Sequence, residues 1–420
     1  MKKRSFIKNM GVMSAAFSAG FVRLQQAVAA VENVPAAALA ADEEFWRKVR
    51  DDYRIKPDYI NLENGYYCFL PEQTLEDLID HMRAVNYEGS YYMRTVQFEN
   101  KKRVADAVAA IGGCTAEEVA ITRNTTESLD LVIGGIDWQA GDEAVMAEQD
   151  YGAMLNHFEL MERRHGIVNK RVSVPNHPRD DNELVELYAS ALTDKTRLLM
   201  VSHMINITGH VLPVRKIVDM AHERGVEVMV DGAHAFSHVP FQMSDLGCDY
   251  YGTSLHKWLS APLGSGMLYV KKEKIGQIWP LFAERDLEPS DMRRLNHIGT
   301  HPVHTDLAIL NAIEYQNTLG LERKAARLQY LQHYWTSQLR NVPKVIINTP
   351  VDMGRHGGIG NVGIVSMSPS ELADRLMAEH GIYTAAINRP GVQGVRVTPN
   401  VYTSLGDLDA LVDAVKSLSS

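Results

Sequence analysis

Cysteine is scarce in this chain. Only Cys68, Cys114 and Cys248 occur in 420 residues, widely spaced and with no C-x-x-C pair. That excludes a disulfide-dense scaffold and argues against a cysteine-ligated metal centre. An excess of positive charge is missing too. Lys plus Arg number 43 against 52 Asp plus Glu, a net charge of -9, which argues against a nucleic-acid surface. No G-x-G-x-x-G falls between a strand pattern and a helix pattern: "GGIDWQAGDE" and "GSGMLYV" lack the spacing, so a nicotinamide site has no motif here. No internal repeat or low-complexity tract occurs. The apolar run Gly11–Val22 has 12 residues, whereas a membrane-spanning helix needs about 20.

What is present is a composition with 45% hydrophobic and 8% aromatic residues, long enough to bury a large core in two domains. The N-terminus reads as an address. "MKKRSFIKNM" is basic, the short apolar run follows, and A-x-A sites occur at Ala27-Val28-Ala29 and Ala38-Leu39-Ala40. The second is preferred, because "DEEFWRKVRDDY" then opens the mature chain. "KRSFIK" resembles the twin-arginine export motif, with Lys3 where the first arginine stands. The expectation is an export signal over 1–40, read by export machinery that carries folded proteins. A periplasmic location and no permanent membrane anchor follow from it. A cytosolic amphipathic helix is the alternative.

From residue 41 the pattern alternates. "EVAITRN", "DEAVMAE", "TRLLMVSH", "VEVMVDGAH" and "SGMLYVKK" are strand-like, and amphipathic stretches such as "VRKIVDMAHERG" lie between several of them. Strand-helix alternation over 100–270 implies an α/β fold with a mostly parallel sheet covered on both faces. Ligands of such sheets bind beyond the carboxyl ends of the strands.

The residues at those ends carry the chemistry. "VEVMVDGAHAF" ends an apolar run in Asp231, a costly burial unless something satisfies the carboxylate. A turn or cap carboxylate is the plain alternative. In "YYGTSLHKWLSAP", Lys257 follows Ser254 and His256 among small and apolar residues, where desolvation lowers an amine's pKa toward what a Schiff base requires. Together these suit pyridoxal phosphate: the carboxylate keeps the pyridine nitrogen protonated, and the lysine holds the aldehyde and shuttles a proton. "AITRNTTESLDLV" adds Thr125 and Thr126 at a helix start, where phosphate binds well.

With these motifs in order, the chain resembles the class V aminotransferase family of fold type I pyridoxal-phosphate enzymes, from "NLENGYYCFLP" to "GVRVTPNVYTS". The resemblance implies a large domain over 70–310 with a mainly parallel sheet, a linking helix and small C-terminal α/β domain over 311–420, and a segment 41–69 packed with the latter. It implies Thr125, Thr126, Ser254 and His256 at the phosphate, Tyr151 against the ring, and Asn206 and His234 near the phenolic oxygen. Asp231 falls at the pyridine nitrogen and Lys257 at the Schiff base. Thr300 is implied to reach the neighbouring subunit's phosphate in a homodimer, and Arg396 and Asn64 to bind substrate. "HIGTHPVHTDLAILNAIEYQNTLG" and the aromatic position at Tyr151 resemble the isopenicillin N epimerase branch, and the region "RHGGIGNVGIVSMSPSEL" lacks the cysteine that desulfurases carry before the arginine, which disfavours persulfide chemistry. The expected reaction is at Cα of an amino acid or peptide amine, as transamination or epimerisation. A β-elimination or C–S lyase is the alternative, and a non-catalytic binder with the same pocket is the competing class. Tyr66, Tyr67, Tyr91, Tyr92 and His210 are unranked candidates for a second acid/base.

Overall fold

The computed structural model describes residues 21–282 and 287–420. The basic run and Lys3-Arg4 lie outside the described residues. Seven strands form the large sheet: β1 (Val119–Thr122), β2 (Glu143–Ala147), β3 (Val168–Val172), β4 (Thr196–Ser202), β5 (Glu227–Asp231), β6 (Tyr250–Ser254) and β7 (Gly266–Val270). Their order is β1-β7-β6-β5-β4-β2-β3. β7 runs antiparallel to both neighbours, and the remaining pairings are parallel. The sheet has helices on both sides, so its strands are apolar on both faces. In β4 Leu199 and Val201 enter one core cluster while Leu198 and Met200 enter the other; in β5 Val228 and Val230 oppose Met229 in the same way. That alternation is the period-two geometry of a strand.

Upstream of the sheet, α1 (Val22–Ala29) and α2 (Glu43–Arg50) pack into a third cluster with Tyr315, Leu328 and Tyr402. Phe21, Leu24, Leu39 and Ala40 are buried. The Leu39 carbonyl accepts from Trp46 Nε1 at 2.8 Å, and the Ala40 carbonyl from Arg327 Nη1 at 2.9 Å. Packed structure therefore begins upstream of the expected boundary at residue 40. The signal for this was the apolar spacing of Phe21, Leu24 and Ala27, which also resembles a leader.

Helix α3 (Thr125–Gly135) follows β1, capped by Asn124, whose Oδ1 accepts from the Glu127 amide at 2.9 Å. Helices α4 (Val303–Leu319) and α5 (Leu321–Leu339) are broken by Gly320 at φ +87° and lead out of the large sheet. The C-terminal sheet has the order β10-β11-β9-β8, all antiparallel, from β8 (Val345–Ile347), β9 (Gly360–Ile364), β10 (Ala385–Arg389) and β11 (Val392–Val397). α6 (Pro369–His380) and α7 (Leu405–Ser419) cover it, with Leu372, Leu376, Leu408 and Leu411 buried against Val362 and Val395. Ile60–Asn61 pairs in parallel with Ile382–Tyr383 as a separate two-stranded sheet, so the segment before the large sheet is tied to the C-terminal part of the chain. Among the described residues, no helix is long and apolar enough to cross a membrane.

Candidate active site

A cavity of about 310 Å³ lies beyond the carboxyl ends of β4, β5 and β6, with the start of α3 on one side and β11 on the other. That is where an open parallel sheet binds ligands. Ten of the twelve residues expected at the site line it: Thr125, Thr126, Tyr151, Asn206 and Asp231, then His234, Ser254, His256, Lys257 and Arg396.

At the α3 end, the Thr125 amide donates to Ser254 Oγ at 2.9 Å and the two hydroxyls lie 2.7 Å apart. Backbone N–H groups of the first helical turn, two hydroxyls and the helix dipole form an anion cradle. The buried Nδ1 of His256 has no hydrogen-bond partner among the described residues, which fits a polar group still to be received. Burial holds the His256 imidazole down at about 4, reinforced by the Lys257 charge.

In the middle sits the lysine turn. Ser254 closes β6, the Lys257 amide donates back to the Ser254 carbonyl at 3.3 Å, and the Ser260 amide to the Lys257 carbonyl at 2.9 Å. Ser260 has φ +57°, an uncommon conformation for a residue with a side chain, so the turn is held against local preference. Burial is the main cause that lowers the Lys257 ammonium to about 8, with Asp231 opposing. Asp231 is buried at the end of β5, where desolvation raises its carboxyl above the ordinary range despite the Ala233 amide donating to Oδ1 at 3.0 Å. Gly232 is required next: a Cβ there would fall 2.1 Å from the Tyr251 hydroxyl.

His234 connects these groups. Trp258 Nε1–H can only donate, and it lies 3.3 Å from His234 Nδ1. Burial keeps the imidazole neutral, far below its usual range. The network therefore assigns the proton to Nε2, which points at Lys257 Nζ 3.2 Å away.

Two expected residues are elsewhere. Asn64 is fully buried, and its carboxamide is consumed within the protein: Nδ2 donates to the Thr398 carbonyl at 2.7 Å, and Oδ1 accepts from Tyr402 at 2.8 Å and Asn61 at 2.9 Å. It ties the chain before the large sheet to β11 instead of reaching the cavity wall. Thr300 is exposed and does not line the cavity of the single chain. Of the acid/base candidates, only Tyr66 is on the wall. Tyr92 is buried with its hydroxyl accepting from Asn100 at 2.9 Å, and His210 is buried with neither ring nitrogen partnered among the described residues. None of the three cysteines lines the cavity, and burial pushes the Cys68 thiol up to about 12.

Other residues were not singled out from the sequence. Asp150, after β2, is buried, and its carboxyl accepts from the Ala147 amide and the Ser202 hydroxyl, each at 2.7 Å. Burial is the main cause that raises it to about 7. Lys324 on α5 is buried behind the lysine turn, donating to the Trp258 carbonyl and to Gln316 Oε1. Glu63 pairs with Arg396.

The family model "Aminotransferase class-V" matches residues 71–400. The chain belongs to the class V aminotransferase family. It is 26% identical to isopenicillin N epimerase of Streptomyces clavuligerus, over 89% of this chain and 98% of that one. Against a cysteine desulfurase of Haloferax volcanii identity is 27%, over 85% and 88% of the two chains. The fold matches an apo cysteine desulfurase from Thermococcus onnurineus NA1 with TM-score 0.78 at 20% identity, covering 88% of this chain and 97% of that. It also matches C-DES with glycine linked to its pyridoxal-phosphate cofactor, with TM-score 0.79 at 21% identity, over 87% and 98%. The family's cofactor is pyridoxal phosphate, and the cavity fits it. The anion cradle lines one side, the Asp231 carboxylate and Lys257 amine act on each other electrostatically, and His234 presents its Nε2 to Lys257 Nζ.

Proposed function

We propose that this enzyme acts at Cα of an amino acid or of a peptide's terminal amine, in the manner of the isopenicillin N epimerase branch. The convergence of Lys257, Asp231 and the Nε2–H of His234 on one cavity carries this reading. When bound, pyridoxal phosphate supplies an electron sink for the pair released when a bond to Cα breaks. Lys257 Nζ, its pKa lowered to about 8 by burial, would hold the cofactor's aldehyde and would be the base for the α-proton. Asp231 keeps the pyridine nitrogen protonated, since a buried carboxylate facing a cation is stabilised in its ionised form. His234 Nε2–H would serve as donor to the cofactor's phenolic oxygen, and Thr125, Ser254 and His256 would hold its phosphate. Tyr66, the one acid/base candidate on the wall, is the residue this reading assigns to return a proton on the second face of Cα, an assignment that would give epimerisation over transamination.

Elimination at Cβ is the second reading, favoured by the cysteine desulfurase relatives. A persulfide relay is disfavoured because no cysteine reaches the cavity. The exposed Thr300 suits a homodimer in which it contacts the partner's phosphate. Export to the periplasm is proposed on the basic, leader-like N-terminus; Phe21, Leu24 and Leu39, inside the expected 1–40 segment, are buried in the fold.

The test is proton exchange at Cα in deuterated water, followed by NMR across amino acids and amino-terminal peptides. Exchange with inversion supports the epimerase reading. Pyruvate or sulfide release without exchange into recovered substrate supports elimination. Neither, from protein carrying cofactor, removes the catalytic reading.

A further inference from the structure

Arg396, one of the two residues expected to bind substrate, is already engaged. Its Nε donates to Glu63 Oε2 at 3.1 Å and its Nη2 to Glu63 Oε1. Nη1 donates to the Asn206 carbonyl at 3.2 Å. Both charged side chains are out of water, 10% exposed for Arg396 and 6% for Glu63. The pair is held in register by two backbones, since Glu63 bridges in parallel to Thr398, two residues beyond Arg396 on β11. Glu63 is further fixed by the Tyr66 amide, which donates to Oε1 at 3.0 Å. Space is cleared for this contact: a Cβ on Gly65 would fall 2.8 Å from Arg396 Cζ.

A guanidinium has five N–H donors, and the contacts above use three. Two remain for a ligand, but the charge is spent. A free α-carboxylate arriving there puts two carboxylates on one buried cation, and the net negative charge is penalised by desolvation. The carbonyl of an amide accepts the same two N–H groups and brings no charge. We propose that Glu63 is a specificity-determining residue that neutralises Arg396, so that the cavity takes amines whose neighbouring carboxyl is bound in an amide. The substrate class is then a peptide amino terminus or an amino-acid amide. This rests on the pyridoxal-phosphate reading above.

The test uses loaded enzyme and two reagents that capture the aldehyde held by Lys257, aminooxyacetate and its uncharged relative methoxyamine. In each capture the alkoxyamine nitrogen replaces the lysine nitrogen at the aldehyde carbon and the amine is released, with no net oxidation. Loss of the visible band gives both rate constants, and free pyridoxal phosphate gives the reference ratio. The proposal expects the native enzyme's ratio of aminooxyacetate to methoxyamine rates to stay within roughly tenfold of the reference. In Glu63→Gln, which leaves Arg396 a free charge, it should rise by about tenfold or more. A native enzyme that prefers the carboxylate by more than that margin, or a Glu63→Gln ratio equal to native, overturns it. The native measurement decides alone if the variant does not fold. A native protein with no visible band to lose contradicts the cofactor reading, a separate failure.

Discussion

Lys257 Nζ and His234 Nε2 face one another across 3.2 Å, with the proton on the histidine. The assignment depends on Trp258, the residue after the lysine, whose indole N–H occupies the other ring nitrogen at 3.3 Å. A donor that cannot reverse fixes a group that can. His238 continues the same logic: its Nε2 accepts from the Gly358 amide at 2.7 Å and its Nδ1 lies 2.8 Å from the His234 carbonyl. His238 thus ties the His234 backbone to the loop before the small sheet, while Trp258 alone fixes the His234 ring.

Cofactor capture should report the Lys257 amine. Its neutral form is the nucleophile, and burial lowers it from 10.5 to about 8. At pH 8 about half the lysine is then reactive, against roughly 0.3% for an ordinary one. The rate at which cofactor-free protein takes up pyridoxal phosphate should reach half its maximum near pH 8 and level off above about pH 9. A rise continuing past pH 10 contradicts the lowered value.

Asp231→Asn should separate stability from chemistry. Desolvation raises the Asp231 carboxyl in the cofactor-free fold, so the folded state binds its proton more tightly than the unfolded chain. That stability is present below the ordinary carboxyl range and is lost as pH rises through the folded value. At pH 7 the cost of the buried charge remains, and Asn removes it while keeping an oxygen for the Ala233 amide. Thermal denaturation of cofactor-free Asp231→Asn should show a midpoint at or above native. Cα proton exchange should fall by about 100-fold or more.

Lys324→Met should change the pH dependence of folding. Lys324 is lowered from 10.5 to about 8 by burial. Between those values the unfolded chain binds more protons, so this lysine makes stability rise with pH across that window. Buried thiols and phenols such as Cys68 and Tyr53 act oppositely, so the difference between native and variant is the quantity to measure. It should widen in favour of native from pH 8 upward, followed by urea unfolding.

Tyr66→Phe should abolish inversion while sparing exchange from the Lys257 face. The hydroxyl is the part removed, and Tyr66 is three-quarters exposed, at 75%, so stability should change by no more than about 0.5 kcal/mol. Chiral analysis of recovered substrate alongside deuterium uptake distinguishes the two effects.

Much of the site was legible because its residues end strands. Asp231 closes an apolar run, Ser254 closes another, and Thr125 begins a helix after a third. Such positions carry local signals in period, punctuation and charge. The contacts that set the site's electrostatics do not. Glu63 meets Arg396 across 333 positions, and Lys324 reaches the Trp258 carbonyl from 66 residues away. Only the docking of α5 and β11 onto the large sheet brings them together. Asn64 shows the converse: it lies next to the site in sequence, yet tertiary pairing with Thr398 and Tyr402 turns its amide inward. The antiparallel β7 was also hidden, because "SGMLYV" is as uniformly apolar as its parallel neighbours.

The central claim is that Lys257 carries the cofactor. Purified protein given pyridoxal phosphate should absorb in the visible, and borohydride should bleach that band and leave a pyridoxyl mass on the peptide containing Lys257. A label on Lys324, the other buried lysine with a lowered pKa, or no fixed label at all, would contradict it.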